Sequence, residues 1–171
     1  MTDECCGVAE AGCAFCELPS TTVVRQVKVA APCPSCGQAG KPVGRQTVKA
    51  LLAKSLRLID GEYFFCRNQD CDIVYFSAGG GMNFSTRDLR ERVYQKMPSD
   101  PDASICYCFR HRLGDLTDGS AEDRRRILED ITAGIKAAQC ACDIRNPQGS
   151  CCLGNVRSVL RSFEAAGATT V

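Results

Sequence analysis

The chain has 171 residues, 21 lysines and arginines against 20 aspartates and glutamates, and a formal net charge of +1. That balance excludes the large basic footprint of a nucleic-acid binder or of a protein held on anionic membranes. Fourteen cysteines accompany one histidine and no tryptophan, so thiol chemistry, rather than burial of large apolar side chains, is expected to hold the cores together.

Residues 1–30 read as a tail rich in small residues, with Cys5, Cys6, Cys13 and Cys16. Its start, "MTDECCGVAEAG", lacks the basic and apolar regions of a secretory leader. Nor is any stretch of the sequence long and apolar enough to insert into a membrane. A cytoplasmic location follows, where thiols stay reduced and cysteine patterns mean metal or catalysis rather than disulfides.

Residues 31–96 read as a small β module. "CPSCG" places Cys33 and Cys36 in a Cys-x2-Cys knuckle, a turn in which two thiolates converge and backbone N–H groups point at their sulfurs. Thirty residues on, "CRNQDC" supplies Cys66 and Cys71 at the end of a strand. The runs "EYFFC" and "DIVYFSA", aromatic and β-branched, predict adjacent strands. Two short-spaced thiolate pairs are what a tetrahedral structural zinc requires, and four thiolates leave no coordination position open for catalysis. Iron bound as in rubredoxin competes for the same ligands.

Residues 97–104, "MPSDPDAS", suit a linker. Beyond it, residues 105–171 begin with Cys106 and Cys108 in "ICYCF" and are mainly helical. Ser120, with Asp123 three residues later, caps a helix over 121–138, whose apolar face carries Ile127, Leu128, Ile131, Ile135 and Ala138. A second helix over about 153–165 carries Val156, Val159, Leu160 and Phe163 and ends at Gly167.

Six thiols serve this last region: Cys106, Cys108, Cys140, Cys142, Cys151 and Cys152. Cys106 and Cys108 reach one iron of a binuclear cluster from a single extended segment. A Rieske centre needs two imidazoles, and His111 stands alone. Thiolates opening the last helix gain its N–H groups and dipole. A [2Fe–2S] cluster is the sharper reading and a second zinc the plainer one.

"FFCRNQDCDIVYF", "CYCF" and "CACDIRNPQGSCCLGNV" together resemble the N-terminal half of archaeal-type CopZ copper chaperones, and the cluster part is similar to bacterioferritin-associated ferredoxin. The resemblance implies one zinc on Cys33, Cys36, Cys66 and Cys71. It implies one [2Fe–2S] cluster on Cys106, Cys108, Cys142 and either Cys151 or Cys152. Cys152 lies nearer the helix start and is the expected fourth ligand. Cys140 has the ferredoxin spacing from Cys108, but the Asn146-Pro147 turn aligns Cys142 in its place.

The family's further copper-binding Cys-x2-Cys has no counterpart embedded in a βαββαβ pattern here, and Cys13 and Cys16 are candidates for Cu(I). The expected fold is therefore α+β, a small zinc-stapled β module followed by a mainly helical [2Fe–2S] module. One-electron transfer or Cu(II) reduction in copper handling is the implied function, with a metal-transport or metallochaperone protein and an electron donor as partners. The rivals are a non-redox interaction protein stapled by metal sites and a thiol scavenger of soft metals.

Overall fold

The structure is a computed structural model and describes residues 30–54 and 57–168. The tail thiols Cys5, Cys6, Cys13 and Cys16 lie outside the described residues. The fold is α+β, as expected. In chain order the first half runs β1 (Lys41–Val43), α1 (Arg45–Leu51), β2 (Tyr63–Phe65), β3 (Ile73–Ser77) and β4 (Asn83–Ser85). The second runs β5 (Ser104–Cys106), β6 (His111–Arg112), α2 (Leu113–Thr117), α3 (Ala121–Lys136), α4 (Cys142–Arg145) and α5 (Leu153–Ala168).

Strands β1 to β4 form one antiparallel sheet in sequence order. The two aromatic runs pair as expected, with Phe64 opposite Phe76 and Phe65 opposite Tyr75. Side chains alternate across a strand, so this sheet carries an aromatic layer on each face. Phe64 and Phe76 stack with ring centroids 5.5 Å apart and pack with Cys33, Cys66 and Cys71. Tyr63, Phe65 and Tyr75 pack on the opposite side with Val48, Leu51 and Leu52 from α1 and its end. Burial on both faces is why these strands read as continuous apolar runs rather than as alternation.

In the second half, Ser120 caps α3 by accepting from the Asp123 N–H, and the Asp123 carboxylate reaches back to the Ser120 N–H. The helix stops at Lys136, short of the expected 138. Ala138 turns left-handed at φ 56°, and the Gln139 N–H bonds back to Gly134 O at 2.9 Å. This is a Schellman stop, for which glycine is the usual signal; an alanine gives none. Helix α5 runs through Gly167 to Ala168 rather than ending there.

Residues 97–104 carry their own turn hydrogen bonds, Asp100 N–H to Met97 O and Ala103 N–H to Asp100 O, and Ala103 is fully buried. The two halves touch extensively, with α1 packed on α4. Among the described residues no helix is long and apolar enough to cross a membrane.

Gly40 lies under the stacked phenylalanines, where a Cβ would stand 2.5 Å from Phe76 Cζ and 2.7 Å from Phe64 Cβ. Phe64 Cβ is fixed to its strand and cannot swing away. Gly40→Ala should therefore cost about 1–3 kcal/mol by overpacking, read as a lowered denaturation midpoint. An unchanged midpoint would show that the sheet yields at this point.

Candidate metal centres

The four thiols of the first half arrive from two loops. In the first, Gly37 at φ 72° closes a tight turn: its N–H bonds to Cys33 O and the Cys33 N–H bonds to Gln38 O, both at 2.8 Å. The left-handed angle is why glycine follows Cys36. The second loop leaves β2 at Cys66, whose N–H bonds to Val74 O at 2.9 Å, and turns at Asn68, whose carbonyl accepts from the Cys71 N–H at 3.3 Å.

All four sulfurs lie within 4.8 Å of one another. Cys33 and Cys71 approach to 3.9 Å and Cys36 and Cys66 to 3.6 Å. A zinc–sulfur bond of about 2.3 Å at tetrahedral angles gives a sulfur–sulfur edge of about 3.8 Å, so the donor set fits the ion without rearrangement.

Backbone donors complete this shell, as the knuckle reading anticipated. Gln38 N–H donates to the Cys36 sulfur, and with the Asn68 side chain it holds that thiol down at about 7. Burial pushes the Cys66 thiol up to about 12, against the pull of the Asn68 N–H. Thiols bind a metal as thiolates, so metal binding here releases protons. Lys96, which the motif reading missed, donates from Nζ to Asn68 O at 2.6 Å and stands 5.9 Å from the Phe65 ring centroid. Its positive charge lies beside a site that carries two negative charges once four thiolates hold Zn²⁺.

The second set gathers around β5. Cys106 and Cys152 approach to 3.2 Å, and Cys108 and Cys142 to 3.6 Å. The close pairs join different segments of the chain. Cys106, Cys142 and Cys152 are buried, while Cys108 and Cys140 are half-buried and Cys151 is exposed. The Cys142 thiol also shares hydrogen bonds with Cys152 first and then with Cys108 and Cys140, which draw it down to about 5. Cys152, donating to Cys106 and Cys142, is pushed up, and Cys106 falls to about 7.

Backbone N–H groups are aimed here too: Ala141 at the Cys108 sulfur at 3.3 Å, Phe109 and Cys108 at Cys106, and Cys152 at Cys142. Cys140 lies beyond the end of α3, its thiol raised by desolvation and then by Cys142. Ile105, Leu116, Ile131 and Val156 close the surrounding core.

The loop carrying Cys142 and Cys152 is clasped by the first half of the chain. Tyr75 OH donates to Pro147 O at 2.9 Å in a buried contact. Thr47 Oγ1 donates to Asp143 O and Lys41 Nζ to Ser150 Oγ. Inside the loop, fully buried Asn146 accepts from Gln148 N–H at 3.0 Å and donates to Ser150 O at 2.6 Å. The Asn-Pro signal did mark this turn. Tyr75 and Thr47 gave no comparable sign, since each reads as an ordinary strand or helix residue.

Residues 30–90 match a CopZ-type family described as a zinc binding domain. The chain is 31% identical over 121 residues to the copper chaperone CopZ of Archaeoglobus fulgidus, an alignment covering 70% of this chain and 57% of that one. The X-ray structure of the N-terminal domain of that CopZ superposes with a TM-score of 0.62 at 28% identity, covering 75% of this chain and 96% of the domain. The chain is therefore CopZ-like over that N-terminal region, and the four-cysteine cluster, which could hold a metal ion, lies within the residues matched to the zinc binding domain.

Two outcomes follow. Cys66→Ser removes a buried thiolate from a closed site whose binding energy is folding energy; zinc content should fall well below one ion per chain and residues 31–96 should lose amide protection. Retention of a full zinc equivalent would mean that another ligand serves. Tyr75→Phe leaves the buried Pro147 carbonyl without its donor and should cost about 1–3 kcal/mol with zinc content unchanged. Equal stability of the two proteins would remove Tyr75 from the clasp.

Proposed function

We propose that this chain works in the handling of copper, with zinc as a fixed structural ion and a [2Fe–2S] cluster held by Cys106, Cys108, Cys142 and Cys152. The carrying observation is the gathering of these four thiols, from β5, the segment after it, the start of α4 and the entry to α5, beside a zinc site of the CopZ type. A [2Fe–2S] cluster bound there supplies a one-electron couple, matched in stoichiometry to the reduction of Cu(II) to Cu(I).

The protein's own residues perform the binding and shielding. The Cys108–Cys142 separation of 3.6 Å already matches a tetrahedral edge at a metal, and the 3.2 Å between Cys106 and Cys152 needs to open by about 0.6 Å to reach it. We read each close pair as serving one iron, a different division from Cys106 and Cys108 sharing one. The N–H groups of Ala141, Phe109, Cys108 and Cys152 stabilise thiolate charge at the sulfurs, and such bonds raise a cluster's reduction potential. Burial of Cys106 and Cys152 keeps water from one side, while half-buried Cys108 gives the shortest way in from solvent.

Cys140 and Cys151 are spectators in this reading. The partners are a metal-transport or metallochaperone protein and an electron donor, in the cytoplasm. Cys13 and Cys16 are candidates for passing Cu(I) onward.

Anaerobically purified protein should contain one zinc, two irons and two labile sulfides per chain and show the visible and EPR spectra of a [2Fe–2S] centre. Serine at Cys106, Cys108, Cys142 or Cys152 should bleach or shift those spectra, and serine at Cys140 or Cys151 should leave them. A colourless protein with two zincs and no sulfide would favour the alternative of a non-redox interaction protein with metal-stapled cores.

A further inference from the structure

A cavity of about 260 Å³ opens where the two halves of the chain meet, walled by Tyr107, Leu51 and Ile144 and ringed by the guanidiniums of Arg90, Arg110 and Arg145. All three arginines are exposed. Arg110 and Arg145 have no carboxylate partner among the described residues. Arg90 is aimed by Nε and Nη2 bonds to Leu52 O, at 3.1 and 2.7 Å, which fix its direction and leave its charge uncompensated. Glu91 is the one acidic side chain in the wall. A second groove of about 310 Å³ shares Arg90, Glu91 and Arg110 and extends the surface to Arg92 and Arg112. Those two are already paired, Arg92 with Asp100 at 2.6 Å and Arg112 with Asp102 at 3.1 Å.

Arg110 occupies a backbone conformation that suits it poorly. It sits at φ 61° in the turn between β5 and β6, two residues after Cys108. A glycine would adopt that angle without penalty. The neighbouring apolar element is Ile144, 42% exposed, on α4 two residues from Cys142. Uncompensated arginines around an exposed aliphatic residue form the pattern of a protein-docking face, arginine being enriched in interfaces and lysine depleted. Tyr107 and Arg110 flank Cys108 in the chain, and Ile144 and Arg145 follow Cys142 on α4, so the face is built from the segments that carry these thiols.

We propose that Arg90, Arg110, Arg145 and Ile144 form the docking face for an acidic partner protein, with a carboxylate of that partner seated in the cavity against the three guanidiniums. Resting on the cluster reading above, the face is assigned to the electron donor, because Tyr107, Arg110, Ile144 and Arg145 in its lining belong to the two segments that also carry Cys106, Cys108 and Cys142. Bidentate pairing of guanidinium with carboxylate would fix the partner's orientation as well as its affinity.

The experiment is calorimetric titration of the full, metal-loaded chain with an acidic plant-type ferredoxin, at low salt and at about 0.5 M salt, where charge attraction between surfaces is screened. Arg110→Gly and Arg145→Glu are titrated alongside, with iron, zinc and sulfide measured on every sample. Saturable binding is expected at low salt, weakened by about tenfold or more in each variant and in high salt. Arg110→Gly should unfold no earlier than its parent, since the turn accepts glycine, so its loss of affinity cannot be loss of fold.

No saturable binding, binding indifferent to both variants, or equal binding of a basic cytochrome c would overturn the proposal. Displacement of the ferredoxin by succinate, beyond what sodium chloride of the same ionic strength achieves, would also overturn it by making the cavity a small-anion site. Should the samples contain no iron or sulfide, the cluster reading fails by itself, and the titration still decides whether the face takes an acidic protein.

Discussion

Four sulfurs from two loops thirty residues apart converge within 4.8 Å, and the first half of the chain is arranged around keeping them there. The Gly37 turn, the bend at Asn68 and the phenylalanine stack behind the thiols all serve that convergence. A module this small has little apolar area to set against the entropy of ordering its loops. A zinc ion held by the four thiols would supply the difference, because the binding energy of a structural site is folding energy. Lys96 adds its charge and a hydrogen bond to the carbonyl at the centre of the second loop.

The same sheet that backs the zinc site on one face holds the second set of thiols through its other face. Tyr75 belongs to the aromatic layer over α1, and its hydroxyl extends beyond that layer to Pro147. Thr47 on α1 acts in parallel at Asp143. Mechanical continuity therefore runs from the zinc knuckles through β2 and β3 to the loop carrying Cys142 and Cys152. The contacts are short-range and buried, so disturbance of the sheet should be felt in the loop more strongly than any through-space effect of the zinc charge.

Much of this was legible in the sequence because the signals were local. Cys-x2-Cys followed by glycine, paired aromatic strands and a Ser-x-x-Asp cap each depend on residues a few positions apart, and each appears where the spacing put it. Four features were illegible, for three distinct physical reasons. The α3 stop at Ala138 and the turn at Arg110 place ordinary L-residues in left-handed conformations, where glycine or asparagine would have announced them. Partnership of Cys106 with Cys152 and of Cys108 with Cys142 is a property of three-dimensional packing, and a Cys-x-Cys motif suggests instead that neighbours act together. Residues 97–104 have the composition of a linker, yet Ala103 is small enough to be buried completely within it. Composition reports what a segment tolerates, while burial depends on what lies against it.

The clasp on the loop carrying Cys142 and Cys152 has a bearing on how such a protein can change over evolutionary time. Two of its bonds, from Thr47 and Tyr75, are made to main-chain carbonyl oxygens, those of Asp143 and Pro147. Every residue type offers that acceptor, so neither bond reads the identity of the side chain it holds. Mutational drift at position 143 is invisible to these contacts, provided the backbone keeps its path. The path itself is set by Asn146 from within the loop. Exposed positions of the loop are thus free to be rewritten for a new partner, while the residues that grip it, on a distant part of the chain, are not.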